Sequence, residues 1–233
     1  MCTAKRTNSV IKPEAILFDL DGTLLDTAPD LQRALNTVLA AHGRPEVTLQ
    51  QARPVASHGS TGLLELGFGD DFNEHNRLPL RQAFLEAYAD DPHRDTRYFA
   101  GVETLLARLQ SASIKYAIVT NKPTQFTDAL LPHFTQLQAS SAVVCGDTLK
   151  VAKPDPAPLL YAAQLSQVDP ARCWYVGDAE RDIEAGRRAG MTTVLAAYGY
   201  IAEHDQPDSW QASYAISDAL QLLDLLKLTD AAL

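Results

Sequence analysis

Short apolar runs bounded by turn residues recur at Ala15–Leu20, Tyr116–Thr120, Ala142–Cys145, Cys173–Val176, Thr193–Ala197 and, with a weaker pattern, Tyr214–Ile216. Several lack the strict apolar–polar alternation of a half-exposed strand, so they predict strands buried on both faces. Between them, Val102–Gln110, Pro156–Leu165, Asp182–Ala189 and Ala219–Lys227 carry apolar residues three and four apart, the period of a helix with one buried face. Strands alternating with helices predict an α/β fold, a doubly wound parallel sheet covered on both sides. Asp155-Pro156 and Asp169-Pro170 read as helix starts, with Asp as the cap and Pro in the first turn.

From Thr27 to about Arg97 the chain shows helical periodicity and no convincing strand, over a length too great for a simple crossover. An inserted α-helical domain is predicted there, over 27–97, with 13–26 and 98–233 forming the sheet domain. Thr27-Ala28-Pro29-Asp30 opens it in the manner of a capping box, and Leu31, Ala34, Leu35, Val38 and Leu39 follow at helical spacing until Gly43. Further helices are predicted at Leu49–Val55, Thr61–Leu66 and Asn76–Ala89. A small bundle joined to the sheet by two linkers can act as a lid.

Composition narrows the class. The chain is 46% hydrophobic and 21% charged, ordinary for a globular protein, and no segment approaches the roughly 18 consecutive apolar residues of a membrane span. Met1 to Lys12 is polar and slightly basic, without the apolar stretch of a secretory signal, and reads as a frayed tail on a cytoplasmic protein. A net charge of -9 disfavours a broad nucleic-acid surface, which needs clustered cations. The expected partner is a small molecule, with no nucleic acid or membrane, and the chain is expected to work as a monomer or homodimer. The three cysteines show no Cys-x-x-Cys spacing; Cys145 and Cys173 lie in apolar runs and read as reduced core residues.

The candidate chemistry begins at Phe18-Asp19-Leu20-Asp21-Gly22-Thr23-Leu24, at the end of the first strand. Residues two apart on an extended strand project to one side, which places Asp19 and Asp21 together at the edge where parallel sheets bind ligands. Like charges this close call for a cation or a shared proton, so a magnesium site beside a separate acid/base is natural. The plainer reading is an acidic turn in which Gly22 supplies a positive φ. Thr120-Asn121-Lys122 ends the second strand with a hydroxyl, an amide and backbone N–H groups suited to phosphate oxygens, or is simply a turn. Lys153, in Lys153-Pro154-Asp155-Pro156, can neutralise charge shared by a carboxylate and a phosphate, or sit in a solvated loop. Val176-Gly177-Asp178 ends the fourth strand and Asp182 follows four residues on, either at a metal or stabilising a helix N-terminus.

Taken together, these four motifs resemble the haloacid dehalogenase superfamily of phosphatases, whose signature is Asp-x-Asp-Gly-Thr, a Thr or Ser, a Lys, and Gly-Asp-x-x-x-Asp. The resemblance runs from about Ala15 to Ile216 and includes an insert placed as in the subclass with a helical cap. It implies Asp19 and Asp178 as Mg2+ ligands together with the backbone carbonyl of Asp21, and Asp182 in support. It further implies a phosphomonoester substrate, Asp19 as nucleophile, Asp21 as acid/base, and Lys153 with the donors around Thr120, Asn121 and Gly22 as charge stabilisers. Phe18–Thr27 and Thr120–Pro123 resemble the phosphoglycolate phosphatases. Tyr198-Gly199-Tyr200-Ile201, continuing to Asp208-Ser209-Trp210, is similar to the N-acetylmuramic acid 6-phosphate phosphatases, an alternative that stays open; packing of aromatics against a strand end accounts for the same segment. Ser57-His58-Gly59-Ser60 interrupts the helical period of the insert, so His58 and Gly59 are candidate substrate contacts, or merely a helix break. A sugar phosphomutase is disfavoured because its cap histidine falls on Leu31, and a haloacid dehalogenase because it does not need Asp21. A non-catalytic binding protein would not need to retain all the charged residues.

Overall fold

The computed structural model describes residues 12–228. The chain forms β1 (Ala15–Phe18), then the two-residue strands β2 (Leu25–Asp26) and β3 (Arg97–Tyr98), then β4 (Lys115–Val119), β5 (Val143–Val144), β6 (Cys173–Gly177), β7 (Thr192–Ala196) and β8 (Tyr214–Ile216). Six of these build one sheet in the order β5-β4-β1-β6-β7-β8. Every pairing in it is parallel.

β1 shows why its run is apolar throughout. Successive side chains point to opposite faces, and here both faces are covered: Ile16 and Phe18 enter one core layer and Ala15 and Leu17 the other. The first layer is closed by α5 (Val102–Ser111) and α9 (Gln221–Leu225) through Leu105, Leu109 and Leu222. The second is closed by α7 (Ala157–Leu165) and α8 (Glu180–Arg188) through Leu159, Ala162 and Ala185. Each fully buried Leu or Ile contributes about 1.5–3 kcal/mol relative to exposure. A further helix, α6 (Thr124–Leu130), follows β4 and is too short to show a period in the sequence.

Between β2 and β3, which pair antiparallel with Leu25 opposite Tyr98 and Asp26 opposite Arg97, lie α1 (Ala28–Ala41), α2 (Leu49–Ala52), α3 (Gly59–Phe68) and α4 (Arg77–Ala89). Their apolar faces form a cluster of their own around Leu35, Leu39, Leu63 and Phe84, into which Phe126 and Tyr200 reach from the sheet side. Two-residue strands have no legible period, so the paired ribbon at the neck of the insert is visible only in the fold.

The local expectations need several corrections. Thr27 precedes α1 but makes no side-chain cap; its Oγ1 donates to Asp21 Oδ1 at 2.6 Å instead. Asp30 turns away from the helix start: its Oδ2 accepts from the backbone N–H of Asp95 at 3.1 Å, and from the N–H and hydroxyl of Thr96 at 2.8 and 2.7 Å. Tertiary donors have outcompeted the local cap. The segment expected as one helix over Leu49–Val55 is α-helical only to Ala52 and tightens into a 3-10 turn over Arg53–His58, where Pro54 supplies no N–H. Asp155 does accept from Ala157 N–H at 2.8 Å, but Asp169 caps only a 3-10 turn, Pro170–Arg172, leading into β6. Helix α8 begins two residues before the expected Asp182. Cys145 and Cys173 are buried free thiols, as expected. The tail expected over Met1–Lys12, with Cys2, lies outside the described residues apart from Lys12.

Candidate active site

β1 hands the chain to β4 on one side of the sheet, and β6 hands it to β7 on the other. The crevice at this reversal lies at the carboxyl ends of β1 and β6, and the residues immediately beyond those ends are Asp19 and Asp178. Both are buried, at 2% and 0% exposure, as is Asp182 in the first turn of α8 at 0%. One oxygen from each of the three lies within 4.8 Å of the others.

The counter-charge comes from Lys153. Its Nζ is 2.9 Å from Asp19 Oδ1 and 2.8 Å from Asp182 Oδ1, and donates to Val119 O at 2.9 Å and Tyr175 OH at 2.8 Å. Burial raises Asp182, but Lys153 and Arg181 outweigh it and hold the carboxyl below the usual range. Asp182 also accepts from Ala179 N–H at 3.0 Å, so it both braces Lys153 and closes the helix start, which joins its two sequence readings. Burial raises Asp19 despite Lys153. Burial, with Asp182 and Asp19 alongside, pushes Asp178 up to about 7. Asp178 Oδ2 accepts from Tyr200 N–H at 2.8 Å and Ser57 Oγ at 2.9 Å; its Oδ1 has only the Thr23 hydroxyl at 3.5 Å among the described residues. Asp19 Oδ1 takes Leu20 N–H at 2.7 Å, and Oδ2 receives no donor among the described residues. Two buried carboxylates raised by lost hydration, each with one oxygen short of donors and with ligand atoms within 4.8 Å of each other, form an oxygen-only set that a small, hard divalent cation fits.

Asp21 borders a cavity of about 380 Å³ shared with Asp19, Thr120, Asn121 and Lys122 on the sheet side and with His58, Gly59, Arg81 and Tyr88 from the insert. The expected His58 and Gly59 are therefore brought to the site. Asp21 Oδ1 takes Lys122 Nζ at 3.0 Å in addition to the Thr27 hydroxyl. Thr120 Oγ1 accepts from Lys122 N–H at 3.1 Å, which leaves its own proton free to donate.

Two expected phosphate donors are placed otherwise. The N–H of Gly22 donates to Leu25 O at 2.9 Å, and the residue is glycine because φ is +86° and a Cβ would stand 2.2 Å from Asp178 Oδ2. Asn121 uses both ends of its amide on Lys153, donating to its carbonyl at 2.9 Å and accepting from its N–H at 3.0 Å; it positions the lysine. Lys153 itself lies beneath Asp19, outside the cavity lining.

Sequence reading missed Tyr88, Arg81 and Arg181, and carried Ser57 and Lys122 only as members of candidate segments, with no role for their side chains. Lys122 adjoins Thr120 and Asn121, yet its ion pair with Asp21 and its hydrogen bond to Tyr88 OH at 2.9 Å span the sheet domain and the insert. Burial lowers its pKa, but Asp21 and Tyr88 outweigh that and hold it above the usual lysine value. Arg181 stands inside the Asp178–Asp182 motif and borders the cavity. The Tyr198–Trp210 segment braces the site from behind: Tyr200 OH contacts Asp26 Oδ1 and Ala28 N–H, both at 2.9 Å, and Tyr198 OH donates to Thr23 O. Trp210 packs on Ile183 and Leu195.

This geometry has counterparts in known proteins. Residues 16–196 match the family described as haloacid dehalogenase-like hydrolase. The chain is 39% identical over 213 residues to an N-acetylmuramic acid 6-phosphate phosphatase of Pseudomonas aeruginosa, covering 91% of this chain and 94% of that one. It is 43% identical over 210 residues to a phosphoglycolate phosphatase of Xanthomonas campestris pv. campestris, covering 90% and 95%. Its fold superposes on the crystal structure of a predicted phosphoglycolate phosphatase from Haemophilus somnus with a TM-score of 0.81 at 25% identity, covering 92% and 98%. The chain belongs to the haloacid dehalogenase-like hydrolases. Within them it is a phosphatase, a phosphoric monoester hydrolase with an α/β core.

Proposed function

We propose that the chain hydrolyses a small soluble phosphomonoester with Asp19 as nucleophile and Mg2+ as cofactor. The observation that carries this reading is the convergence of Asp19, Asp178 and Asp182 within 4.8 Å, with Lys153 paired to Asp19 and Asp182 and with Asp19 and Asp21 bordering one cavity. Asp19 and Asp178, with the backbone carbonyl of Asp21, would hold the ion, and Asp182 supports them. Bound Mg2+ neutralises charge on the phosphoryl oxygens as a Lewis acid.

The remaining chemistry belongs to the side chains. Asp19 forms a bond to phosphorus through one carboxylate oxygen as the ester P–O bond breaks, and Asp21 delivers a proton to the departing oxygen. Thr27 and Lys122 occupy Asp21 Oδ1, so Oδ2 is the oxygen that carries this proton. Asp21 then takes a proton from the water that attacks the aspartyl phosphate, releasing phosphate and restoring Asp19. Lys153 holds Asp19 in place, and the Thr120 hydroxyl donates to a phosphoryl oxygen.

Residues 27–97 act as a cap that closes over the substrate. Phosphoglycolate is the substrate this reading takes first, on the likeness of Phe18–Thr27 and Thr120–Pro123 to its phosphatases. N-acetylmuramic acid 6-phosphate is favoured by a different observation: about 380 Å³ of cavity with polar groups on the cap wall leaves room for a sugar ring. Residence in the cytoplasm as a monomer or homodimer completes the reading; no helix among the described residues is long and apolar enough to cross a membrane. In the test, purified Asp19→Asn keeps its fold by circular dichroism and releases no phosphate from an aryl phosphate with Mg2+. A wild-type rate in that variant would reject the nucleophile.

A further inference from the structure

A further charged side chain, Arg81, borders the cavity from the insert. One face of α4 forms part of the cavity wall, because Arg81, Phe84, Leu85 and Tyr88 recur at spacings of three and four and all border it. Tyr88 lies over the reacting groups: its OH takes Lys122 Nζ at 2.9 Å, and Lys122 holds Asp21 at 3.0 Å. Arg81 is seven residues back, about 10 Å along the helix axis at 1.5 Å per residue. Its side chain forms no ion pair among the described residues, and its polar contact there is Nε to Ser60 Oγ at 3.4 Å. The Nη donors of the guanidinium are left over. On a chain of net charge -9, a solvent-accessible guanidinium with no carboxylate partner, beside the cavity and flanked by Ser60 and Thr61, presents a fork matched to a planar anion.

We propose that Arg81 binds a carboxylate on the leaving group of the substrate, at the end of the cavity remote from Asp19, and so selects phosphorylated sugar acids. This rests on the phosphatase reading above and, for the same site, favours the sugar-acid phosphate over phosphoglycolate. Phosphoglycolate carries its acid one carbon from the ester oxygen, too near phosphorus to reach along α4 to Arg81. N-acetylmuramic acid 6-phosphate carries its acid on the far side of a pyranose ring, and the spacing between Tyr88 and Arg81 suits that length. N-acetylglucosamine 6-phosphate has the same ring and phosphate without the lactyl acid, which isolates the group in question.

The experiment compares kcat/KM of the full-length, Mg2+-loaded enzyme for these two sugar phosphates in wild type, Arg81→Gln and Arg81→Lys. Loss of a charge-assisted bidentate pair reduces the wild-type preference for the acid-bearing sugar by roughly 10–100-fold in Arg81→Gln, chiefly through KM. Arg81→Lys retains part of it, since it keeps the charge and loses the fork. A solvated surface arginine predicts one common ratio in all three proteins. That result, or a wild type with no preference between the sugars, overturns the assignment of Arg81 while phosphatase activity stands. A wild type that releases phosphate from neither sugar nor from an aryl phosphate removes the underlying reading, and the proposal with it.

Discussion

Replacing Lys153 by methionine keeps a flexible side chain of similar reach and deletes the ammonium that sits 2.9 Å from Asp19 and 2.8 Å from Asp182. Both carboxylates are at most 2% exposed, so neither can recover its lost partner from water. Breaking a buried ion pair by removing one member costs about 3–5 kcal/mol, equivalent to a fall in Tm of about 6–20 °C for a chain of this size. Urea unfolding followed by far-UV circular dichroism, in buffer with a chelator so that no divalent cation replaces the charge, reads this directly. Asp182→Asn on the Lys153→Met background restores at least half of the loss, because only one of the two carboxylates that lost the lysine then remains. The deficit also shrinks in acid. Asp182 is held below the usual range in the wild type despite burial, so its contribution is present above the ordinary carboxylate pKa and disappears as pH falls through the lowered folded value. The variant has already lost it. A destabilisation under about 1 kcal/mol, or a double variant weaker than the single, would refute a lysine that neutralises two buried acids.

Asp30→Asn turns a buried acceptor for Asp95 N–H, Thr96 N–H and the Thr96 hydroxyl into a group that also presents donors; a loss of at least about 2 kcal/mol in the urea midpoint is expected, against a surface substitution's few tenths. Burial, with Glu14 and Asp169 nearby, pushes the Cys173 thiol up to about 11, so mass mapping after iodoacetamide at pH 8 finds Cys173 unmodified in the folded protein and modified in urea. The same raised value favours the neutral thiol in the fold: its stabilising effect is full below about 9 and is lost as pH rises through about 11, which alkaline thermal melts of wild type and Cys173→Ala detect as a difference confined to that window.

Much of the sheet domain was legible because it depends on local pattern. A strand buried on both faces must be apolar at every position, as Ala-Ile-Leu-Phe of β1 is, and β8 falls on Tyr214–Ile216 as read. The acids of the candidate site were legible for a related reason: chemistry at a strand end needs particular residue types at short spacings, and those spacings survive in one dimension. Gly22 marked a real backbone need, the positive φ read from the sequence, and its missing side chain also makes room for Asp178, 156 positions on in the chain.

The sequence by itself determined an α/β core, an inserted helical segment and the acids that stand at the ends of β1 and β6. Tertiary structure alone decided that Thr27 braces Asp21 rather than α1, that the Asn121 amide clamps Lys153, and that Lys122 and Tyr88 join the insert to the site. The physical reason is competition for partners. A hydroxyl, amide or ammonium takes the best acceptor within about 3 Å, and for these residues that acceptor, or the group that completes the bond, belongs to a segment whose nearness only the folded chain creates.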